Sequence, residues 1–280
     1  MYKVAILGYP IKHSLSPKIH NYWMKKLNIK GEYLLLETPK KKFFNTIKNL
    51  QKNNFLGVNL TIPLKEEVLK YKNEKDKIVK TIGAANVLVF SKKKIVAKNT
   101  DVYGFKKSII KLIKKKEKKI AIIIGSGGAS RAILYSLIEL KYKNIFLYNR
   151  SINNAKKMKK DFLKNFSNKI KTQIFCENLK KINLNLKNAN ILINTTPLGM
   201  KNFPNLNINI ENLNKNAVII DLIYNPLETN LIKEANKNNI KNINGLDMLL
   251  YQAQKSFYYW FKKNPKITND LKKILKKEIT

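Results

Sequence analysis

Lys65 stands in the segment GVNLTIPLKEE, behind Asn59 and Thr61 at the end of an apolar run and inside the first turn of the helix that Pro63 opens. A helix N-terminus disfavours an added positive charge, which would help such a lysine lose its proton. Glu66 and Glu67 pull the other way, so the direction of the shift stays open here. Upstream, HSLSPKIH places Ser14 and Ser16 beside a helix start, where two hydroxyls suit a substrate carboxylate. The plain alternative makes Ser16 an N-cap with Pro17 at the first helical position. Downstream, GAANVLV supplies Asn86 at a strand start and NTDVYG supplies Asp101 after another strand. Taken singly, these two serve equally well as a turn residue and a helix N-cap.

A second constellation lies in KKIAIIIGSGGASRAILYSLIELKYKNIFLYNRS. IAIII is apolar on both faces, as a central parallel strand requires. The turn Gly125-Ser126-Gly127-Gly128-Ala129-Ser130 follows directly and a helix follows the turn. Side-chain-free positions let the backbone approach a pyrophosphate, and the helix-start N–H groups attract the anion. Ser130 occupies the third glycine position of the usual fingerprint. The next strand ends in Asn149-Arg150-Ser151, where an NAD site would carry an acid for the ribose 2′-hydroxyl. A guanidinium instead pairs with a 2′-phosphate, so the reading is NADP.

The elements that must hold these groups alternate. YKVAILGY, GEYLLLET and FLGVNLTI read as strands, with helices near Pro17, in KKFFNTIKNLQKN and in PLKEEVLKYK between and after them. AANVLVFSKKKIVAKNTD reads as a hairpin-like strand pair, and a helix from about Val102 to Lys116 leads to the glycine turn. Alternation of this kind predicts an α/β protein with largely parallel sheets.

At 280 residues two domains are expected, and 44% hydrophobic content is that of a globular chain. One cysteine, Cys176, excludes an internal disulfide framework and suits a reducing compartment. The N-terminal apolar stretch is too short to span a bilayer and has no small-residue cleavage pattern. No run reaches the roughly 18 apolar residues of a membrane helix, so the chain reads as cytoplasmic and free of membrane. The net charge of +38 invites a nucleic-acid reading. Yet the lysines are spread throughout among Asn and Ile, a mix that an AT-biased genome favours. The densest run, Lys111–Lys119, reads as a solvated helical face ending in a linker. No specific nucleic-acid partner is expected, only weak binding at low salt. His13 and His20 lack metal-ligand spacing with any acid or thiol, so no metal site is expected and both read as surface or cap residues.

In order along the chain, SLSP, NLTIPLKEE, GAANVLV, NTDVYG, GSGGASRA, NRS, INTTPLGM, DLIYNPLET and GLDMLLYQAQ closely resemble the shikimate dehydrogenases, from near residue 8 to near residue 262. The resemblance implies reversible reduction of 3-dehydroshikimate to shikimate with NADPH, on the path to chorismate and the aromatic amino acids. It implies a two-lobed α/β fold. Residues 1–101, completed by the C-terminal helices of 246–280, would form the substrate domain, and 102–245 a Rossmann-like NADP domain.

By the same resemblance Lys65 is the catalytic lysine and Asp101 its paired carboxylate. Ser14 and Ser16 hold the substrate carboxylate and Thr61 lines that pocket. Asn59, Asn86 and Gln252 bind ring hydroxyls, and Tyr224 lies on the wall. Ser126, Gly127, Gly128, Ala129 and Ser130 form the pyrophosphate turn. Asn149, Arg150, Ser151 and Asn154 form the 2′-phosphate loop, and Leu222 and Gly245 lie near the nicotinamide end. Two positions depart from the common pattern. Asn154 stands where a basic residue is frequent, leaving Arg150 and Lys156 for the phosphate, and Leu222 stands where methionine is common. The rival readings are a quinate/shikimate dehydrogenase using NAD, opposed by the missing acid at 149–151, and a non-enzymatic basic binding protein, opposed by Lys65 and Asp101. A homodimer is allowed by the sequence but not required.

Overall fold

The computed structural model describes residues 1–113, 120–166 and 170–279. They form two compact units, one from Met1–Gly104 and Leu250–Glu278, the other built on Phe105–Leu249.

The first unit runs β1 (Tyr2–Gly8), α1 (Ser16–Lys26), β2 (Gly31–Glu37), α2 (Phe43–Lys52), β3 (Gly57–Leu60), α3 (Leu64–Glu67), β4 (Glu74–Lys75), α4 (Lys77–Ile82), β5 (Val87–Phe90) and β6 (Ile95–Lys98). Its sheet order is β2-β1-β3-β5-β6-β4. It is mixed rather than largely parallel. β1 pairs parallel with β2 and β3, but β5 runs antiparallel to both β3 and β6. The four-residue link Ser91–Lys94 allows only a hairpin between β5 and β6, whereas the helical links α1 and α2 allow parallel crossovers. Val4, Ala5, Ile6 and Leu7 are all buried, as befits an interior strand, and Phe43, Ile47 and Leu50 of α2 pack over Val58, Leu60 and Leu88.

Three local expectations fail in this unit. Ser16 is the first residue of α1, and Leu15 takes the N-cap position without a side-chain bond. The helix after Pro63 is a single turn running into a 3-10 turn at Val68–Lys70, with Pro63 itself at the N-cap. His20 is neither surface nor cap. It is fully buried and stacks on Tyr33 at 4.4 Å, within 6 Å of Phe257 and Trp260. Among the described residues no group bonds either ring nitrogen, and burial lowers its pKa to about 3.

α5 (Asp101–Ile109) begins in the first unit and ends well before Lys116; residues 114–119 of the lysine run lie outside the described residues. The second unit then runs β7 (Ile120–Ile124), α6 (Gly128–Glu139), β8 (Asn144–Asn149), α7 (Ile152–Asn165), β9 (Gln173–Asn178), α8 (Asn183–Leu186), β10 (Ile191–Asn194), β11 (Val218–Asp221), α9 (Asn230–Lys237) and β12 (Lys241–Ile243). The order β12-β11-β10-β7-β8-β9 is parallel throughout. Connections leave β7 in one direction and β10 in the other, which is the switch point where dinucleotide folds open a crevice. α10 (Leu246–Phe261) and α11 (Asn269–Lys277) follow, and from Leu250 they belong to the first unit. There Trp260 Nε1 donates to Leu88 O at 3.1 Å, Trp23 Nε1 to Lys266 O at 3.1 Å, and Thr268 caps α11. No described helix is long and apolar enough to cross a membrane.

A buried acid ties three strand and helix ends of the second unit together. Asp221 closes β11 and accepts from Thr229 Oγ1 at 2.6 Å, Asn194 Nδ2 at 3.0 Å and Ile223 N at 3.1 Å. Thr229 also caps α9, and Asn194 Oδ1 in turn holds the N–H and hydroxyl of Thr196. No cation offsets the desolvation of Asp221, which pushes its pKa up to about 6 against the three hydrogen bonds. A carboxyl raised in this way keeps its proton in the folded chain while the unfolded chain has lost it. Its contribution to stability therefore declines as pH rises from about 4 to about 6, by about 3 kcal/mol in all. His20 has the opposite sign, because the unfolded chain protonates it first as pH falls. Asp221→Asn keeps the hydrogen-bonded shape without the charge. The variant is therefore more stable than the parent above pH 6, and the gap closes towards pH 4, as denaturant melts across that range would record.

Candidate active site

Strand direction explains how the first unit gathers its polar residues. β1 and β3 point the same way, so the segments after them, carrying Ser14, Ser16, Thr61 and Lys65, leave the same sheet edge. β5 runs back, so its start at Asn86 meets that edge, and β6 returns to end there just before Asp101. α3 is fastened to the segment leading into β5 through Ala85 N, which donates to Lys65 O at 2.8 Å.

At this edge Lys65 Nζ lies 2.6 Å from Asp101 Oδ2. The side chains are 16% and 5% exposed, so the pair is largely withdrawn from water, the lysine less completely than the acid. The second carboxylate oxygen accepts from Asn86 Nδ2 at 3.0 Å. Asn86 is the hub of the cluster. Its amide nitrogen also faces Thr100 Oγ1 at 2.9 Å and Gln252 Oε1 at 3.2 Å, and its oxygen accepts from Thr100 N at 2.7 Å. Asn59, a strand away, donates to Asn86 O and to Ser256 Oγ, both at 3.1 Å, and accepts from Tyr33 O–H at 2.7 Å. Asp101 is thus not an N-cap; Asn99 Oδ1 takes the Val102 N–H in that role.

Lys65, Asp101, Asn86, Asn59 and Gln252 are brought into one network. Ser14 and Ser16 sit together at the start of α1, where Ser14 Oγ accepts from Ser16 N at 3.3 Å. Thr61 packs its methyl over Gly8, at which a β-carbon would come within 2.4 Å of it. Thr100, Ser256 and Tyr33 were not anticipated. Ser256 had a signal, since it lies four residues after Gln252 on one helix face. Tyr33 had none, because nothing along β2 reveals its cross-sheet partner.

The second unit shows a cradle at the end of β7. Gly125 has φ +110°, and a β-carbon there would meet Thr195 Oγ1 at 2.6 Å, so only glycine fits. At Gly127 a β-carbon would meet nothing within 4 Å, leaving open space above the turn. Gly127 is the N-cap of α6 and no side chain caps the helix, so the N–H groups of Gly128, Ala129 and Ser130 head a twelve-residue helix at that space. Ser130 is buried and bonds Thr195 Oγ1 at 2.6 Å; in place of a third glycine it fastens helix to strand. Asn149 Nδ2 links Ser126 Oγ at 2.9 Å and Ser151 O at 3.0 Å, which joins the glycine turn to the neighbouring loop. Arg150 is exposed and its carbonyl is held by Asn178 Nδ2 at 3.2 Å. Ser151 leads α7 without using its hydroxyl as a cap, and Asn154 is exposed in the first turn. Gly245 backs against Leu222, where a β-carbon would stand 2.0 Å from the Leu222 carbonyl oxygen. Tyr224 is half-buried in the loop after β11. These features fit a dinucleotide with an anionic group beside Arg150.

Residues 6–88 match the family model described as the shikimate dehydrogenase substrate binding domain, and residues 107–249 that of shikimate / quinate 5-dehydrogenase. The shikimate dehydrogenase (NADP(+)) of Bartonella tribocorum is 35% identical over 274 residues, which is 96% of this chain and 92% of that one. A crystal structure of a shikimate dehydrogenase in complex with NADP+ superposes with a TM-score of 0.87 at 32% identity, covering 100% of this chain and 94% of the other. The Thermus thermophilus shikimate 5-dehydrogenase, crystallised with NADP(H) and shikimate, gives 0.85 at 27% identity and covers both chains in full. With both family models and near-complete relatives in agreement, the chain belongs to the shikimate dehydrogenase family.

Proposed function

We propose that this chain catalyses the reversible, NADP-dependent interconversion of 3-dehydroshikimate and shikimate, on the path to chorismate and the aromatic amino acids. The observation that carries the reading is the Lys65–Asp101 pair, 2.6 Å apart and set beside three amides suited to polyhydroxylated ligands. NADPH, when bound, supplies the hydride. As the substrate carbonyl gains it, charge develops on the oxygen, and the Lys65 ammonium both stabilises that charge and gives its proton to the oxygen. In the reverse direction Lys65 takes the proton back. Asp101 holds the amine in place through Oδ2 while Asn86 restrains Oδ1. Ser14 and Ser16 are assigned to the substrate carboxylate, Thr61 to the same pocket, and Asn59, Asn86 and Gln252 to the ring hydroxyls. Tyr224 is assigned to the substrate on the resemblance alone. Ser126–Ser130 are assigned to the pyrophosphate, Leu222 and Gly245 to the nicotinamide end. Asn149, Arg150, Ser151 and Asn154 are assigned to the 2′-phosphate, where the uncapped start of α7 adds its own attraction for an anion.

Lys65→Ala lowers kcat by about a hundredfold or more, the scale of losing a general acid–base group, while the shikimate KM changes far less. Asp101→Ala also loses most of the rate, and the double variant is little worse than the poorer single one, because the two act as a unit. Steady-state assays with NADP and shikimate measure this, and a near-normal kcat for Lys65→Ala would sink the mechanism.

Arg150→Ala raises the KM for NADP by about tenfold or more, the worth of one charge-assisted contact, and leaves the KM for NAD nearly unchanged. Parallel titrations of the two cofactors decide it; equal weakening of both would remove Arg150 from the 2′-phosphate site.

A further inference from the structure

The hydrogen-bond accounting around Asn59 has only one solution. Asn59 is 4% exposed, and its amide nitrogen faces the carbonyl oxygen of Asn86 at 3.1 Å. A carbonyl oxygen cannot donate, so the atom facing it must be the nitrogen and the side chain cannot be turned over. The second amide proton points at Ser256 Oγ, also at 3.1 Å. An amide nitrogen only donates, so Ser256 Oγ accepts from Asn59 and cannot donate to it. The Ser256 proton goes instead to Gln252 O at 2.9 Å or to Thr100 Oγ1 at 3.2 Å. On the other side Tyr33 gives its O–H to Asn59 Oδ1 at 2.7 Å. Both amide protons of Asn59 are thus engaged within the protein, along with one of the two lone pairs of its oxygen.

We propose that Asn59 meets its ligand as a hydrogen-bond acceptor only, through the remaining lone pair of Oδ1, and that Tyr33 and Ser256 are the positioning residues that, with the Asn86 carbonyl oxygen, hold this polarity. The inference rests on the assignment of Asn59 to a ring hydroxyl of the substrate. It makes Asn59 select a hydroxyl that donates, and it excludes any group at that place that only accepts. Tyr33 and Ser256 arrive from β2 and α10, on opposite sides of Asn59 in the chain order, and both are buried. Tyr33 is itself held flat against the His20 ring, 4.4 Å away with the planes 4° apart, so its hydroxyl has little freedom to turn away.

The test uses shikimate and its analogues in which fluorine, which accepts but does not donate, replaces each ring hydroxyl that is not oxidised. With the unmodified protein, one analogue loses about ten- to a hundredfold in kcat/KM, the scale of leaving a buried acceptor unsatisfied. In Asn59→Ala that analogue and shikimate are used alike. Tyr33→Phe and Ser256→Ala each raise the shikimate KM about three- to tenfold, the worth of one neutral hydrogen bond, with kcat nearly kept, and neither adds to Asn59→Ala. Full activity with every fluorinated analogue overturns the acceptor-only polarity, on a protein carrying no substitution. Effects of Tyr33→Phe and Ser256→Ala that add to those of Asn59→Ala overturn their positioning role. An unchanged shikimate KM in Asn59→Ala overturns the assignment of Asn59 to the substrate, and the inference with it, while leaving the Lys65–Asp101 chemistry untouched.

Discussion

A lysine and an aspartate withdrawn from water must hold each other, because either one alone would carry an uncompensated buried charge. The Lys65–Asp101 pair sets the requirement that the rest of the first unit meets. Its attraction offsets desolvation only if the geometry is held and the remaining lone pairs are satisfied, and both conditions are visible. Asn86 takes the second carboxylate oxygen, and Thr100, Gln252 and Asn59 hold Asn86. The mixed sheet is the structural consequence. Only with β5 reversed against β3 and β6 can Asn86 and Asp101 arrive at the edge where Lys65 starts its short helix. A wholly parallel sheet would have carried the start of β5 to the far end.

The two units treat a buried acid differently, and the contrast separates chemistry from architecture. Asp101 faces the Lys65 cation, whose side chain stays partly exposed. Asp221 faces three neutral donors with no cation, and burial dominates its proton affinity. Nothing about Asp221 suits proton transfer to a substrate. It is a knot that joins the ends of β10 and β11 to the start of α9, and so it fixes the path of the backbone at Leu222, against which Gly245 is packed. A carboxylate there costs stability near neutral pH, which is tolerable where the loop it shapes must stay in one arrangement.

What was legible in the chain, and what was not, follows from the range of each physical signal. The glycine turn and Asn149–Ser151 could be read because the determinants are local: an apolar strand, residues without side chains, and a helix start lie within a few positions of one another. The hairpin at β5 and β6 was legible for the same reason. The mixed sheet was not, since helical links to β2 and β3 suggest parallel pairing and nothing in a strand's own residues names its neighbour. α3 shrank to one turn although PLKEEVLKYK is compatible with a longer helix; its backbone is tied to Ala85, and Pro63 precedes it at the cap. His20 was misread because its polarity argued for the surface, while the aromatic rings that enclose it come from β2 and from α10, far along the chain. Ser256 and Tyr33 show the same limit. A buried hydrogen-bond network is a property of side chains that meet only after folding.

With 56 lysines and arginines and 18 acids, one-to-one pairing would leave 38 cations without an acid, so lysine position carries little information about function. Surface pairs such as Lys94–Glu74, more than half exposed on both sides, add little to stability and are screened by salt. The informative charges are the scarce ones. Among the described residues the buried acids are Asp101 and Asp221, one in each unit. In a chain so rich in cations, an acid could find a partner at almost any surface position. Burial of these two therefore reflects what they hold: one keeps an ammonium beside Asn86 and the amides joined to it, and the other keeps the backbone after β11 in register. A compositional drift towards lysine changes the surface and leaves such positions alone, because a buried carboxylate is defined by its donors and not by the net charge around it.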